Sequence, residues 1–203
     1  MIHFGPNCGV CIVLVGLAAS GCSNGSPPAV PTIRWNASSL TNAAFQQYDK
    51  NANGTLEKAE FSPGITALLK TADADQDGAL SRDEFEKRLA KHLNLGAGLQ
   101  SIAGVVTRNG VPVVGARVTL EPEKFMQDAV KSATAKTDAR GNFELRTEGQ
   151  TLPGAQPGVY LIRVTSGEDD KSPPIPSRYN AETELGIEVG GDLTSLLVLE
   201  LKA

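Results

Sequence analysis

Two stretches of twelve residues, Asp49 to Glu60 (DKNANGTLEKAE) and Asp73 to Glu84 (DADQDGALSRDE), repeat one pattern of oxygen-bearing side chains. In each, an acid or amide stands at positions 1, 3 and 5, a glycine at position 6 and a glutamate at position 12. Gly54 and Gly78 sit where such a loop must turn with positive φ, a conformation that costs any residue with a Cβ. A calcium ion takes roughly six to eight hard oxygens, and a loop of this kind supplies them from positions 1, 3, 5, 7, 9 and 12. The first loop offers the side chains of Asp49, Asn51 and Asn53, the carbonyl of Thr55, Glu57 directly or through water, and Glu60 with both oxygens. The second offers Asp73, Asp75, Asp77, the carbonyl of Ala79, Ser81 through water, and Glu84. The pattern predicts two bound Ca²⁺ ions. Loop two carries four carboxylates (Asp73, Asp75, Asp77, Glu84) against three in loop one (Asp49, Glu57, Glu60), which predicts tighter binding at loop two.

Acidic, glycine-bearing stretches also serve as ordinary turns. Two complete matches, each followed by phenylalanine (Phe61 and Phe85), weigh against that alternative. On these residues the segment resembles the EF-hand family. Phe45 and Tyr48 before the first loop, and Leu68, Leu69 and Ala72 before the second, place apolar residues on helical faces. Leu56 and Leu80, at the eighth loop positions, are expected to pair the loops in a short antiparallel ladder. Only Phe61 to Ala72 separates the loops, which is short for two full helix-loop-helix units. Ser62 reads as an N-cap and Pro63 as the first residue of a helix to about Ala72, so one helix serves both loops. The short repeat also resembles dockerin modules, which leaves a protein-docking role open as an alternative.

The amino terminus bears on location. Val10 to Ala19 (VCIVLVGLAA) is an apolar run of signal-peptide length, too short to span a bilayer as a helix. Ala19-Ser20-Gly21-Cys22 resembles a bacterial lipobox, which implies lipidation of Cys22 and an anchor in a membrane of the cell envelope. The n-region departs from the pattern, with no Lys or Arg in residues 1 to 9. Ser23 to Pro31 (SNGSPPAVP) reads as a proline-rich tether. Residues 1–21 are thus read as a signal peptide, 22–38 as tether, 39–95 as the EF-hand pair and 99–203 as a β domain, with Leu95 to Gly98 as a hinge.

The inventory argues against an enzyme. Of three cysteines, Cys8 and Cys11 fall in the apolar leader and Cys22 would carry lipid, so no thiol is left for catalysis, a disulfide or a metal. His92 is the one histidine beyond the leader and is expected near the end of a helix, beside its terminal carbonyls. A net charge of −4 with no basic stripe disfavours nucleic acid as a partner.

After Gly98 the apolar period becomes two. Ser101 to Arg108, Ala116 to Glu121, Ser132 to Thr137, Asn142 to Thr147, Val159 to Thr165, Glu184 to Val189 and Ser195 to Lys202 read as strands between Gly, Pro, Asn and Asp turns. In the sixth of these, Glu184 and Glu188 are expected on the wet face. The fold class expected is a multidomain chain: a small all-α EF-hand pair followed by an all-β, antiparallel, seven-stranded Greek-key sandwich. The segments Gly104-Val105-Val106, Asn109 to Leu120 and Thr137 to Phe143 resemble a carboxypeptidase-regulatory-like (transthyretin-like) domain. Gly158-Val159-Tyr160 and Ile175 to Asn180 resemble lipoproteins of planctomycete bacteria. The resemblance implies a non-catalytic binding or scaffold module whose partner is an envelope protein or a glycan. A carbohydrate-binding module stays open as an alternative, with Tyr160 and Tyr179 as the residues that would stack on sugar. Trp35, the only tryptophan, either plugs the EF-hand groove or packs where the chain joins the domain. Ser172 to Pro176 reads as a stiff loop or a polyproline ligand.

Overall fold

The computed structural model describes residues 31–95, 98–126, 129–167, 174–190 and 196–202. The leader, residues 22–30 of the tether, Gly96-Ala97 of the hinge and Ser172-Pro173 lie outside the described residues.

Three helices and two short strands form the amino-terminal part: α1 (Ala37–Tyr48), β1 (Thr55–Leu56), α2 (Pro63–Ala72), β2 (Leu80–Ser81) and α3 (Arg82–Leu93). Each helix begins on a polar cap, because its first amides have no partner within the helix. Asn36 accepts from the amide of Ser39, Ser62 from that of Ile65 and Ser81 from that of Glu84. Pro63 opens α2 as the N-cap pattern predicts, and a single helix joins the loops. β1 and β2 pair antiparallel with Leu56 opposite Leu80, both fully buried.

The rest of the described chain is rich in β-structure, in two sheets. Its strands are β3 (Ala103–Arg108), β4 (Val111–Pro112), β5 (Arg117–Pro122), β6 (Ala133–Lys136), β7 (Asn142–Glu144), β8 (Arg146–Thr147), β9 (Gly158–Thr165), β10 (Gly186–Val189) and β11 (Leu197–Leu201). One sheet runs β10-β9-β5-β6-β8, and the other β11-β3-β4 with β7 also on β3. Inward residues of both (Val118, Leu120, Tyr160, Ile162 and Val164; Val106, Phe143, Leu199 and Leu201) belong to one buried core. The turns follow local chemistry. Asn109 and Gly110, both at positive φ, close the β3–β4 hairpin, and Asp138 accepts from the amides of Arg140 and Asn142.

Three expectations are corrected. Nine strands rather than seven form the described β region: Asn142 to Thr147 divides at buried Leu145 and serves both sheets, and Val111–Pro112, beyond the Asn109-Gly110 turn, pairs back on β3 as a further short strand. The sheets are not wholly antiparallel, since β11 runs parallel to β3. Glu188 is buried instead of wet, because the outer face of β10 is covered by α2. Alternation in sequence reports two faces of a strand, and cannot report that a distant helix dries the second one.

The backbones meet closely at that contact. A Cβ on Gly186 would lie 2.0 Å from the carbonyl oxygen of Pro63, and one on Gly64 would lie 2.5 Å from Oε1 of Glu123. Gly64→Ala should therefore destabilise the fold. Overpacking costs about 1–3 kcal/mol, more than the gain of up to ~1 kcal/mol in helix propensity. Urea titration should show a lower midpoint; an unchanged or higher one would contradict the contact.

Candidate metal site and the buried carboxylates beneath it

Both loops close on themselves through hydrogen bonds from backbone amides to the expected ligands. In loop two, Asp73 Oδ2 accepts from the amide of Gly78 (3.1 Å), Asp75 Oδ1 from that of Asp77 (3.2 Å) and Asp77 Oδ1 from that of Ala79 (2.8 Å). Loop one repeats this, with Asp49 Oδ2 accepting from Gly54 (3.0 Å), Asn51 Oδ1 from Asn53 (2.9 Å) and Asn53 Oδ1 from Thr55 (2.9 Å). The fourth residue of each loop, Ala52 or Gln76, takes a positive φ along with the sixth, so the two backbones turn alike.

Each twelfth-position glutamate is tethered at the base of its loop. Glu84 Oε1 accepts from the amide of Ala74 (2.9 Å), and Oε2 from the amide and hydroxyl of Ser81 (3.0 and 2.7 Å). Glu60 Oε1 accepts from the amides of Lys50 and Asn51, and Oε2 from that of Glu57. These bonds hold both carboxyls below the usual range: the Ser81 hydroxyl is the leading cause for Glu84, and the Glu57 amide for Glu60. Both groups are charged at neutral pH.

Asp73, Asp75 and Glu84 converge, each offering an oxygen within 4.8 Å of the others. Oδ1 of Asp73 is buried and has no hydrogen-bond partner. A buried carboxylate oxygen without a donor is costly unless something positive faces it, so the residues present suit a hard cation held by oxygens. Asp77 stays outside the cluster, and Ser81 spends its hydroxyl on the Glu84 carboxylate. In loop one, Asn53 Nδ2 donates to Glu57 (2.9 Å) and Asn53 Oδ1 also accepts from the Thr55 hydroxyl, so these groups are engaged with one another.

The comparisons with known proteins agree with this geometry. Residues 41–62 and 65–90 match the family model described as EF hand. No curated protein and no solved structure matches the chain. The match supports calcium as the bound ion. It divides the EF-hand pair before and within α2, so that this helix leads into loop two.

Two buried carboxylates of the β region reach into the EF-hand pair. Glu123 accepts from the Tyr48 hydroxyl (2.7 Å), the Ser62 hydroxyl (2.5 Å) and the Gly64 amide (3.1 Å). Glu188, on β10, accepts from Arg88 (2.6 Å) and Thr71 (2.5 Å) and bonds the His92 ring (2.7 Å). Burial with the bond to Glu123 pushes the Tyr48 phenol up. Phe125, two residues beyond Glu123, stacks edge-on against Phe85 (5.4 Å) and Tyr48 (6.4 Å). The apolar face of the helices is thus filled by the chain's own β region.

His92 lies in the last turn of α3 as expected, but its side chain is 1 % exposed and is held by Glu188. Trp35 lies edge-on to its ring at 6.0 Å, where the chain joins the helices. A sequence signal for this cluster was present in α3. Its buried residues are Phe85, Arg88, Leu89 and His92, an apolar-face spacing with Arg and His at two of four positions, which demands a buried counter-charge. Glu123 and Glu188 carry no comparable signal.

Burial alone would raise the Glu188 carboxyl, but hydrogen bonds from His92, Arg88 and Thr71 bring it below its ordinary value. A carboxyl lowered on folding contributes stability that is present above its unfolded pKa, about 4.3, and is lost as pH falls through the folded value. The melting temperature should fall on acidification below about pH 4.3, and less steeply in Glu188→Gln. Equal slopes in the two proteins would count against this linkage.

Proposed function

We propose that this protein is a non-enzymatic, calcium-binding lipoprotein of a bacterial envelope, with Ca²⁺ held by both EF-hand loops and the β region acting as a binding or scaffold module. Two observations together carry the calcium reading: Asp73, Asp75 and Glu84 converge, and Oδ1 of Asp73 is buried with no hydrogen-bond partner. The lipobox-like Ala19 to Cys22 supports the anchor, and the turn motifs of residues 104 to 143 support a transthyretin-like sandwich with an envelope protein or glycan as partner. Glycan binding through Tyr160 and Tyr179 has no support, because both are buried and no aromatic is exposed among the described residues.

Calcium acts here as a staple more than as a trigger. A sensor of this family exposes an apolar groove on binding, whereas here Phe125 occupies that face. Thermal melts with Ca²⁺ and with chelator test this: chelation should lower the melting temperature of the whole chain in one transition, since a ligand that binds only the folded state stabilises it by mass action. Unchanged melts would sink the staple. Labelling with radioactive palmitate that survives in Cys22→Ala would sink the anchor.

A further inference from the structure

Each calcium loop is flanked by residues that share one carboxylate from the β region. Tyr48 directly precedes loop one and Ser62 follows it by two residues, and both donate to Glu123. Thr71 precedes loop two by two residues, Arg88 and His92 lie one and two helical turns beyond Glu84, and all three hold Glu188. A bound ion draws the same flanks together from the other side, through Asp49 and Glu60 or through Asp73 and Glu84.

We propose that Glu123 and Glu188 are site-selective clamps that couple calcium binding to docking of the β region, Glu123 for loop one and Glu188 for loop two. The proposal rests on the reading of the loops as calcium sites. Its physical basis is preorganisation: ion and clamp demand one spacing of the flanking elements, and whichever binds first removes the ordering cost for the other. With Glu188 held by both helices, the Asp73, Asp75 and Glu84 oxygens already stand within 4.8 Å of one another. The coupling is reciprocal by linkage.

Calorimetric Ca²⁺ titration of the full chain tests this with one loop silenced at a time. In a Glu60→Gln background, where loop two reports, adding Glu188→Gln should weaken binding about tenfold, and adding Glu123→Gln should change it by less than about twofold. In a Glu84→Gln background, where loop one reports, the pattern should invert. Tyr48→Phe and Thr71→Val each remove one bond to a clamp without leaving a buried charge unpaired. They should give smaller shifts with the same selectivity, which keeps the test open should a glutamine variant fail to fold. Unmoved affinities, or equal weakening of both loops by either clamp variant, would overturn the proposal. If the Glu60→Gln chain takes up no calcium, the metal reading of loop two itself fails, and a silent loop one overturns the Glu123 half.

Discussion

Glu84→Gln is expected to weaken calcium binding at loop two by at least about a hundredfold, since even residues that only support a metal's ligands cost about 10–100-fold when changed. Glu84 contributes one of the three converging carboxylates and is the one delivered by α3. The amide removes a negative charge and offers hydrogens where the ion needs a lone pair. It also disturbs the anchoring, because an amide nitrogen cannot accept the bonds that Ala74 and Ser81 now give to the two oxygens. Glu60→Gln should produce a smaller loss of total affinity, as loop one has fewer carboxylates and spends Asn53 and Glu57 on each other. Calorimetric titration of both variants checks the order, and Ca²⁺ binding to Glu84→Gln at the affinity of the unaltered chain would refute the assignment.

Glu188→Ala should destabilise the folded protein by about 3–5 kcal/mol, the range found when one partner of a buried charge pair is removed. That is a large share of the roughly 5–15 kcal/mol by which domains are stable. The loss comes from what remains: Arg88 and His92 are 7 % and 1 % exposed, and lose the carboxylate that faces them both. The combined variant Arg88→Met, His92→Leu, Glu188→Leu should recover most of the loss, since an apolar cluster of similar volume needs no counter-charge. Denaturant titration distinguishes the cases. A loss below about 1 kcal/mol in Glu188→Ala would mean that the cluster behaves as a solvated surface pair.

Much of the local structure was legible in the chain. The turns within Asp49 to Glu60 and Asp73 to Glu84, the Ser62-Pro63 helix start, the Leu56 and Leu80 pairing and the Asn109-Gly110 reversal depend on contacts among near neighbours, where backbone sterics and one or two side chains decide the outcome. The strands were legible in place but not in partnership. β7 and β8 read as one strand because their alternation is continuous through Leu145, yet the ladder passes from one sheet to the other there.

By itself the sequence determined where oxygens could gather around an ion and where each element begins and turns, because those are properties of a few consecutive residues. Only the tertiary structure decided that α2 lies across β10, that Phe125 fills the apolar face of the helices, and that Glu123 and Glu188 are dry. A glutamate on the polar phase of a strand is written the same way whether it meets water or a buried Arg and His. The difference lies 100 residues away in the chain for Arg88 and Glu188, and it exists only once the helices have docked.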